Sequence, residues 1–204
     1  MGCGKTILSS TTIGHLEKNV NISRVLYFYF DFKDTNKQTL ESMVRSLISQ
    51  LFNRDEQTWP KLIPHYSKSD RQSTPSLRLL CGVLLQMIEQ VKEVWIILDA
   101  LDECTTREGE SKVGLLSWME EVRNLEKGNV HLLATSRSSS DIESRVSKFP
   151  EANVVPIQEN FTTADIRTYI RARFDRDERL RKWRNNNALR EKVEATLTEK
   201  GSGM

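Results

Sequence analysis

Cysteine is scarce in this 204-residue chain: Cys3, Cys81 and Cys104 are the three present. They are odd in number and nowhere spaced as Cys-x-x-Cys, which argues against both a zinc site and a disulfide framework. The three histidines, His15, His65 and His131, are equally scattered and read as surface or internally satisfied side chains. An excess of one charge is missing too, since 30 basic and 28 acidic residues leave a net charge of +2. Such balance gives no ground for nucleic acid or an anionic membrane as a partner, and neither is expected. No apolar run approaches the roughly 18 residues of a membrane span. No charged-then-apolar leader opens the chain, so an intracellular, cytoplasmic protein is expected. Internal repeats and low-complexity tracts are absent, and the length suits one large domain or two small ones.

What is present is concentrated at two places. Near the middle, Trp95-Ile-Ile-Leu-Asp-Ala-Leu-Asp102, followed by Glu103, is an apolar run ending in clustered carboxylates. A buried parallel strand reads as such a run, and ligands of parallel sheets collect at the carboxyl ends of strands, where Asp99 would sit. At the start, Gly2-Cys-Gly-Lys-Thr6 matches the second half of a phosphate-binding loop, with Gly4, Lys5 and Thr6 in its last three places. The first glycine of the full pattern would fall two residues before Met1. Backbone N–H groups of Gly2 to Ile7 would cradle phosphate oxygens, Lys5 would supply charge to the β- and γ-phosphates, and Thr6 would offer a hydroxyl to Mg²⁺. A helix from Ile7 to Leu16 would turn its positive end to the phosphates.

Strand-like and helix-like segments alternate between and beyond these motifs. Arg24 to Phe32 is rich in aromatic and β-branched residues and reads as a core strand, not as a base-stacking platform. Thr39–Phe52 carries Leu40, Met43, Val44, Leu47, Ile48 and Leu51 at the spacing of one helical face, and Ser76–Val91 repeats that pattern. Between them, Asn53 to Thr74 holds Pro60 and Pro64 and reads as a surface connection pinned by Trp59, Leu62 and Ile63. Further on, a helix is expected over Gly114–Leu125, a strand over Asn129–Thr135 and a short helix over Ile142–Val146. One more strand is expected over Asn153–Ile157, then a helix opened by the capping-box pattern Thr162-Thr-Ala-Asp165 and running through Arg173. The charged segment Arg171 to Arg190 interleaves both signs and reads as a solvated helical face. The alternation implies an α/β fold with parallel strands and crossover helices.

These motifs assemble into one site. Asp99 would hold Mg²⁺ directly or through water, because this cation takes one or two carboxylates beside the phosphates. Ala100 keeps the backbone after the metal ligand uncrowded. Asp102 or Glu103 would orient or deprotonate an attacking water. As an alternative, the two are a carboxylate pair favoured by a helix dipole. Arg137, in Thr-Ser-Arg after the strand at His131–Thr135, would sense the γ-phosphate if that strand neighbours the Asp99 strand. Its alternative is a surface arginine in the serine-rich loop Ser136 to Ser140.

Together, Gly2-Cys-Gly-Lys-Thr6, Leu98-Asp-Ala-Leu-Asp-Glu103 and Ala134-Thr-Ser-Arg137 resemble NACHT domains of STAND-type regulatory ATPases. They are similar in particular to the fungal group sharing the nephrocystin-3-like N-terminal module, as are Tyr27-Phe-Tyr-Phe-Asp-Phe32 and Asp165-Ile-Arg-Thr-Tyr-Ile170. The resemblance implies a P-loop NTPase three-layer sandwich with strand order 5-1-4-3-2, bound ATP and magnesium, and a switch controlling self-association and signalling. It also implies an N-terminal effector and ankyrin or WD repeats in a longer parent protein. Residues 1–158 would be the core and 159–204 the start of the helical segment that follows. Relative to that pattern the first, central strand is missing, so the strands near Asn129–Thr135 and Asn153–Ile157 would lack their shared neighbour and the chain would be a fragment. The competing reading is a vestigial, non-hydrolysing structural or interaction module, and an ordinary kinase is a third. ATP against GTP, the effector output and the activating ligand leave no mark in the residues.

Overall fold

The computed structural model describes residues 4–19, 24–54, 75–108, 114–125, 130–149, 152–156, 159–183 and 186–201. Gly2, Cys3, Ile157 and nearly all of the connection after Asn53, with Trp59, Leu62 and Ile63, lie outside them. The described residues divide into two compact units, one of those between 5 and 152 and the other of Gly4 with those from 153 onward.

In the larger unit three strands, β1 (Arg24–Tyr29), β2 (Val94–Asp99) and β3 (Val130–Ala134), form a parallel sheet in the order β1-β2-β3. The register sets Tyr29 beside Asp99 and Leu98 beside Ala134. Phe30 extends the first ladder by one bond, its N–H donating to the Asp99 carbonyl at 3.1 Å. α1 (Lys5–Asn19) precedes β1, α2 (Leu40–Arg54) and α3 (Leu77–Gln90) lie between β1 and β2, α4 (Leu115–Arg123) lies between β2 and β3, and α5 (Ser140–Val146) follows β3. The fold is therefore α/β with a parallel sheet, as the alternation of segments implies.

Strand side chains alternate between faces, and the two faces meet different helices. Leu26, Phe28, Val94, Ile96 and Leu98 join one large core with the apolar stripes of α2, α3 and α4. Val25 and Ile97 point the other way and pack with Ile13 and Leu16 of α1. β2, covered on both sides, has five of its six residues buried, which is why it reads as an unbroken apolar run. Each large side chain removed from water here contributes about 1.5–3 kcal/mol.

Helix ends follow local chemistry. Ser76 caps α3, its hydroxyl accepting from the Leu79 N–H, and Thr39 accepts from the Ser42 N–H at 3.1 Å at the start of α2. The stripe Leu40, Met43, Val44, Leu47 and Leu51 is fully buried, as its spacing predicts. Among the described residues, no helix is long and apolar enough to cross a membrane.

The smaller unit holds α6 (Glu159–Arg176) and α7 (Asn187–Gly201). Two expectations fail there. Residues 153–156 form no strand: a strand exists by virtue of a ladder partner, none of the described strands pairs with them, and Val154 and Val155 are 69% and 74% exposed. The helix begins at Glu159, not at a Thr162 cap, since neither proline nor glycine at 159–161 bars its extension upstream. The described part of the charged segment is solvated, as expected, and several of its charges are paired. Arg171 grips Glu194 through two bonds of 2.9 and 2.8 Å, Arg190 meets Asp175 at 2.9 Å, and Arg173 and Arg179 share Asp177.

Candidate functional site

The ends of the three parallel strands and the first turn of α1 supply the site. Asp99 closes β2 and is 2% exposed, so its carboxylate must find partners within the protein. Three hydroxyls provide them. Thr6 donates to Oδ2 at 2.6 Å, while Ser9 and Thr135 both donate to Oδ1 at 2.7 Å. Thr6 and Ser9 lie one helical turn apart, hence on the same face of α1. Thr135 follows β3 directly, and the Leu98–Ala134 register carries it beside Asp99.

Ala100, next in the chain, takes the left-handed conformation (φ 60°, ψ 55°). Its N–H donates to the Thr135 hydroxyl oxygen at 3.1 Å, and the Leu101 N–H donates to the Thr135 carbonyl at 2.9 Å. Thr135 thus holds both the carboxylate and the turn that follows it. That turn is a single 3-10 turn, Leu101–Glu103, which carries Asp102 and Glu103 out of β2. The pair therefore sits in the first turn of a 3-10 helix and does not open an α-helix.

Asp102 and Glu103 face the loop after β3. Asp102 Oδ1 accepts from the Arg137 N–H at 2.9 Å, and its Oδ2 lies 3.4 Å from Arg137 Nε. Glu103 Oε2 accepts from the Phe32 N–H at 2.9 Å, and its Oε1 lies 3.7 Å from Arg137 Nη2. Glu103 therefore joins the segment after β1 to the loop after β3. The Arg137 side chain is half exposed, so these ion pairs are screened and each contributes about 1 kcal/mol or less.

Beneath this turn, Arg107 Nη1 donates to the carbonyls of Asp102 at 2.5 Å and Cys104 at 2.8 Å, while its Nε pairs with Asp141 Oδ2 at 2.8 Å. Hydrogen bonds from Ser139 and Arg107 hold the Asp141 carboxyl down at about 2. Burial pushes the Cys81 thiol up to about 11 and raises that of Cys104 as well.

Of the residues expected to form the site, Thr6, Asp99, Asp102, Glu103 and Arg137 are brought together. Lys5 opens α1 immediately before Thr6, and Gly4 before it has φ 77°. Ile7 sits on α1 but is 71% exposed. Sequence reasoning missed Ser9, Thr135 and Arg107. A hydroxyl one turn beyond Thr6 is a faint signal for Ser9, whereas nothing local marks Arg107.

The donor set suits a hard cation. Thr6 Oγ1 and Asp99 Oδ2 are 2.6 Å apart, near the spacing of about 3 Å between adjacent oxygens of an octahedral Mg²⁺ with bonds of about 2.1 Å. Among the described residues no cluster of three His, Cys, Asp or Glu side chains could hold a metal alone. Oxygens of a bound phosphate and water would have to complete the shell, the usual situation for Mg²⁺.

Comparison with curated proteins and with solved structures gives no match. A family model does match, that of the nephrocystin 3 N-terminal family, over residues 1–137, which spans α1 and all three strands and ends on Arg137. With two thirds of its length under that match, the chain belongs to the nephrocystin 3 N-terminal family.

Proposed function

We propose that this chain is the nucleotide-binding module of a NACHT-type, STAND regulatory switch, which binds ATP with Mg²⁺ and couples nucleotide state to self-association. The observation that carries this reading is the 2.6 Å hydrogen bond between Thr6 and Asp99, which joins the two motifs across 93 positions of sequence. The strand order supports it: β3-β2-β1 agrees with the 4-3-2 portion of the order 5-1-4-3-2. A P-loop sandwich is the architecture consistent with that order and with helices on both faces.

In this reading Lys5 and the backbone at the start of α1 receive the phosphates, and Thr6 and Asp99 hold the cation. Bound Mg²⁺ would neutralise charge developing on the transferred phosphoryl group. Asp102 is committed to the Ser136–Arg137 segment, so water positioning falls to Glu103, whose Oε1 has only the long contact to Arg137. Arg137 would exchange those carboxylates for γ-phosphate oxygens and so distinguish ATP from ADP.

The mutual pairing of Arg137, Asp102 and Glu103 also supports a second reading, a non-hydrolysing interaction module in which these groups satisfy one another. Titration of a fluorescent ATP analogue with and without Mg²⁺, on the chain and on Lys5→Ala, tests both. Mg²⁺-dependent binding lost in Lys5→Ala is the expected result. Absence of binding by a folded wild-type chain refutes the switch and leaves the interaction module.

A further inference from the structure

Asp99 is more constrained than a metal ligand needs to be. A carboxylate has about four lone-pair positions, two on each oxygen. On Oδ1 both are taken, by the hydroxyls of Ser9 and Thr135 at 2.7 Å each. On Oδ2 one is taken, by Thr6 at 2.6 Å. The two partners of Oδ1 are buried, Ser9 at 0% and Thr135 at 8% exposure, whereas Thr6 is exposed. Oδ2 is therefore the oxygen with both a vacant lone pair and an accessible neighbour.

We propose that Ser9 and Thr135 are positioning residues that leave Asp99 a single oxygen for a cation and thereby bias the site toward Mg²⁺ over Ca²⁺. The inference rests on the nucleotide-binding reading above. Mg²⁺ requires near-ideal octahedral geometry with one-oxygen ligands, whereas Ca²⁺ accepts six to eight oxygens and readily takes both oxygens of a carboxylate. Two hydroxyls clamped on Oδ1 resist the rotation that would turn both oxygens toward one ion. Thr135 is the stiffer clamp, because its hydroxyl oxygen also accepts the Ala100 N–H at 3.1 Å, which aims its proton at Asp99.

The test is the affinity of a fluorescent ATP analogue measured separately in Mg²⁺ and in Ca²⁺, for wild type, Ser9→Ala, Thr135→Val and Thr135→Ser, each checked for folding by circular dichroism. Wild type is expected to bind more tightly in Mg²⁺. Partners of a metal-bound carboxylate typically alter metal affinity by about 10- to 100-fold, so Ser9→Ala and Thr135→Val are expected to narrow the Mg²⁺/Ca²⁺ ratio by about tenfold or more. Thr135→Ser, which keeps the hydroxyl, is expected to retain it. A merely structural role would weaken binding in both ions and leave the ratio unchanged, which overturns the proposal, as does a wild type that binds without preferring Mg²⁺. Both outcomes leave the nucleotide reading standing, whereas a folded wild type that binds in neither ion removes that reading and this inference together. Ser9→Ala loses a single oxygen atom and reads the ratio even if Thr135→Val fails to fold.

Discussion

Arg107 and Asp141 pair at 2.8 Å, and through that pair the turn after β2 is fastened to the first turn of α5. The same guanidinium accepts no substitute of simpler shape. It reaches two carbonyls through Nη1 and a carboxylate through Nε, a spread of donors that the planar fork spans and a single ammonium nitrogen does not.

Arg107→Lys is therefore expected to behave almost as Arg107→Ala. Both leave the Asp102 and Cys104 carbonyls without their charged donor, a loss of about 1–3 kcal/mol of folding free energy. Urea denaturation of the two variants checks this, and a lysine variant as stable as wild type would contradict it.

Asp141 adds a pH dependence. Its folded-state carboxyl titrates at about 2, below its ordinary 3.8. A group depressed in the folded state contributes stability above its unfolded value and loses it as pH falls through the folded one. The stability difference between wild type and Asp141→Asn should thus be constant above about pH 5 and shrink between about pH 4 and 2. Unfolding midpoints measured across that range decide it.

Asp99→Asn replaces the acceptor of three hydroxyl protons with a group that is half donor. Destabilisation of about 1–3 kcal/mol is expected even without nucleotide or metal, because buried hydroxyls lose their acceptor. Thermal unfolding of the apo chain provides the measurement.

Ala100 occupies a conformation that costs a residue with a Cβ about 1–2 kcal/mol relative to glycine. The freedom glycine adds to the unfolded chain offsets about 0.5–1 kcal/mol of this. Ala100→Gly should leave the Tm unchanged or slightly raised, while Ala100→Val, β-branched at positive φ, should lower it clearly.

Cys81 and Cys104 are buried with raised pKa values, so neither presents a thiolate near neutral pH. Alkylation at pH 8 should leave both intact in the folded chain and reach them once it is unfolded. Mass mapping of labelled peptides gives the answer.

Much of the fold was legible because its signals are periodic and local. The α2 stripe from Leu40 to Leu51 and the apolar run before Asp99 each state in a few residues which surface is buried. The meeting of Thr6 with Asp99, and of Arg137 with Asp102 and Glu103, was legible because the motifs that carry them stand at the ends of neighbouring elements. Ser9 and Thr135 were not, because a hydroxyl acquires its role only from what the fold places opposite it. The strand expected at Asn153 failed for the same reason. Two adjacent valines suggest a strand, but only a neighbouring ladder makes one, and Val154 and Val155 have none among the described strands.

The two-faced packing of β2 has a further consequence for how the chain tolerates change. Ile96 and Ile97 are consecutive, yet one belongs to the core beneath α2 and α3 and the other to the smaller layer under α1. A substitution at Ile97 presses on the helix that carries Thr6 and Ser9, whereas one at Ile96 leaves that helix alone. Along this strand, parity of residue number separates variation that reaches the Asp99 hydroxyls from variation the bulk of the core absorbs.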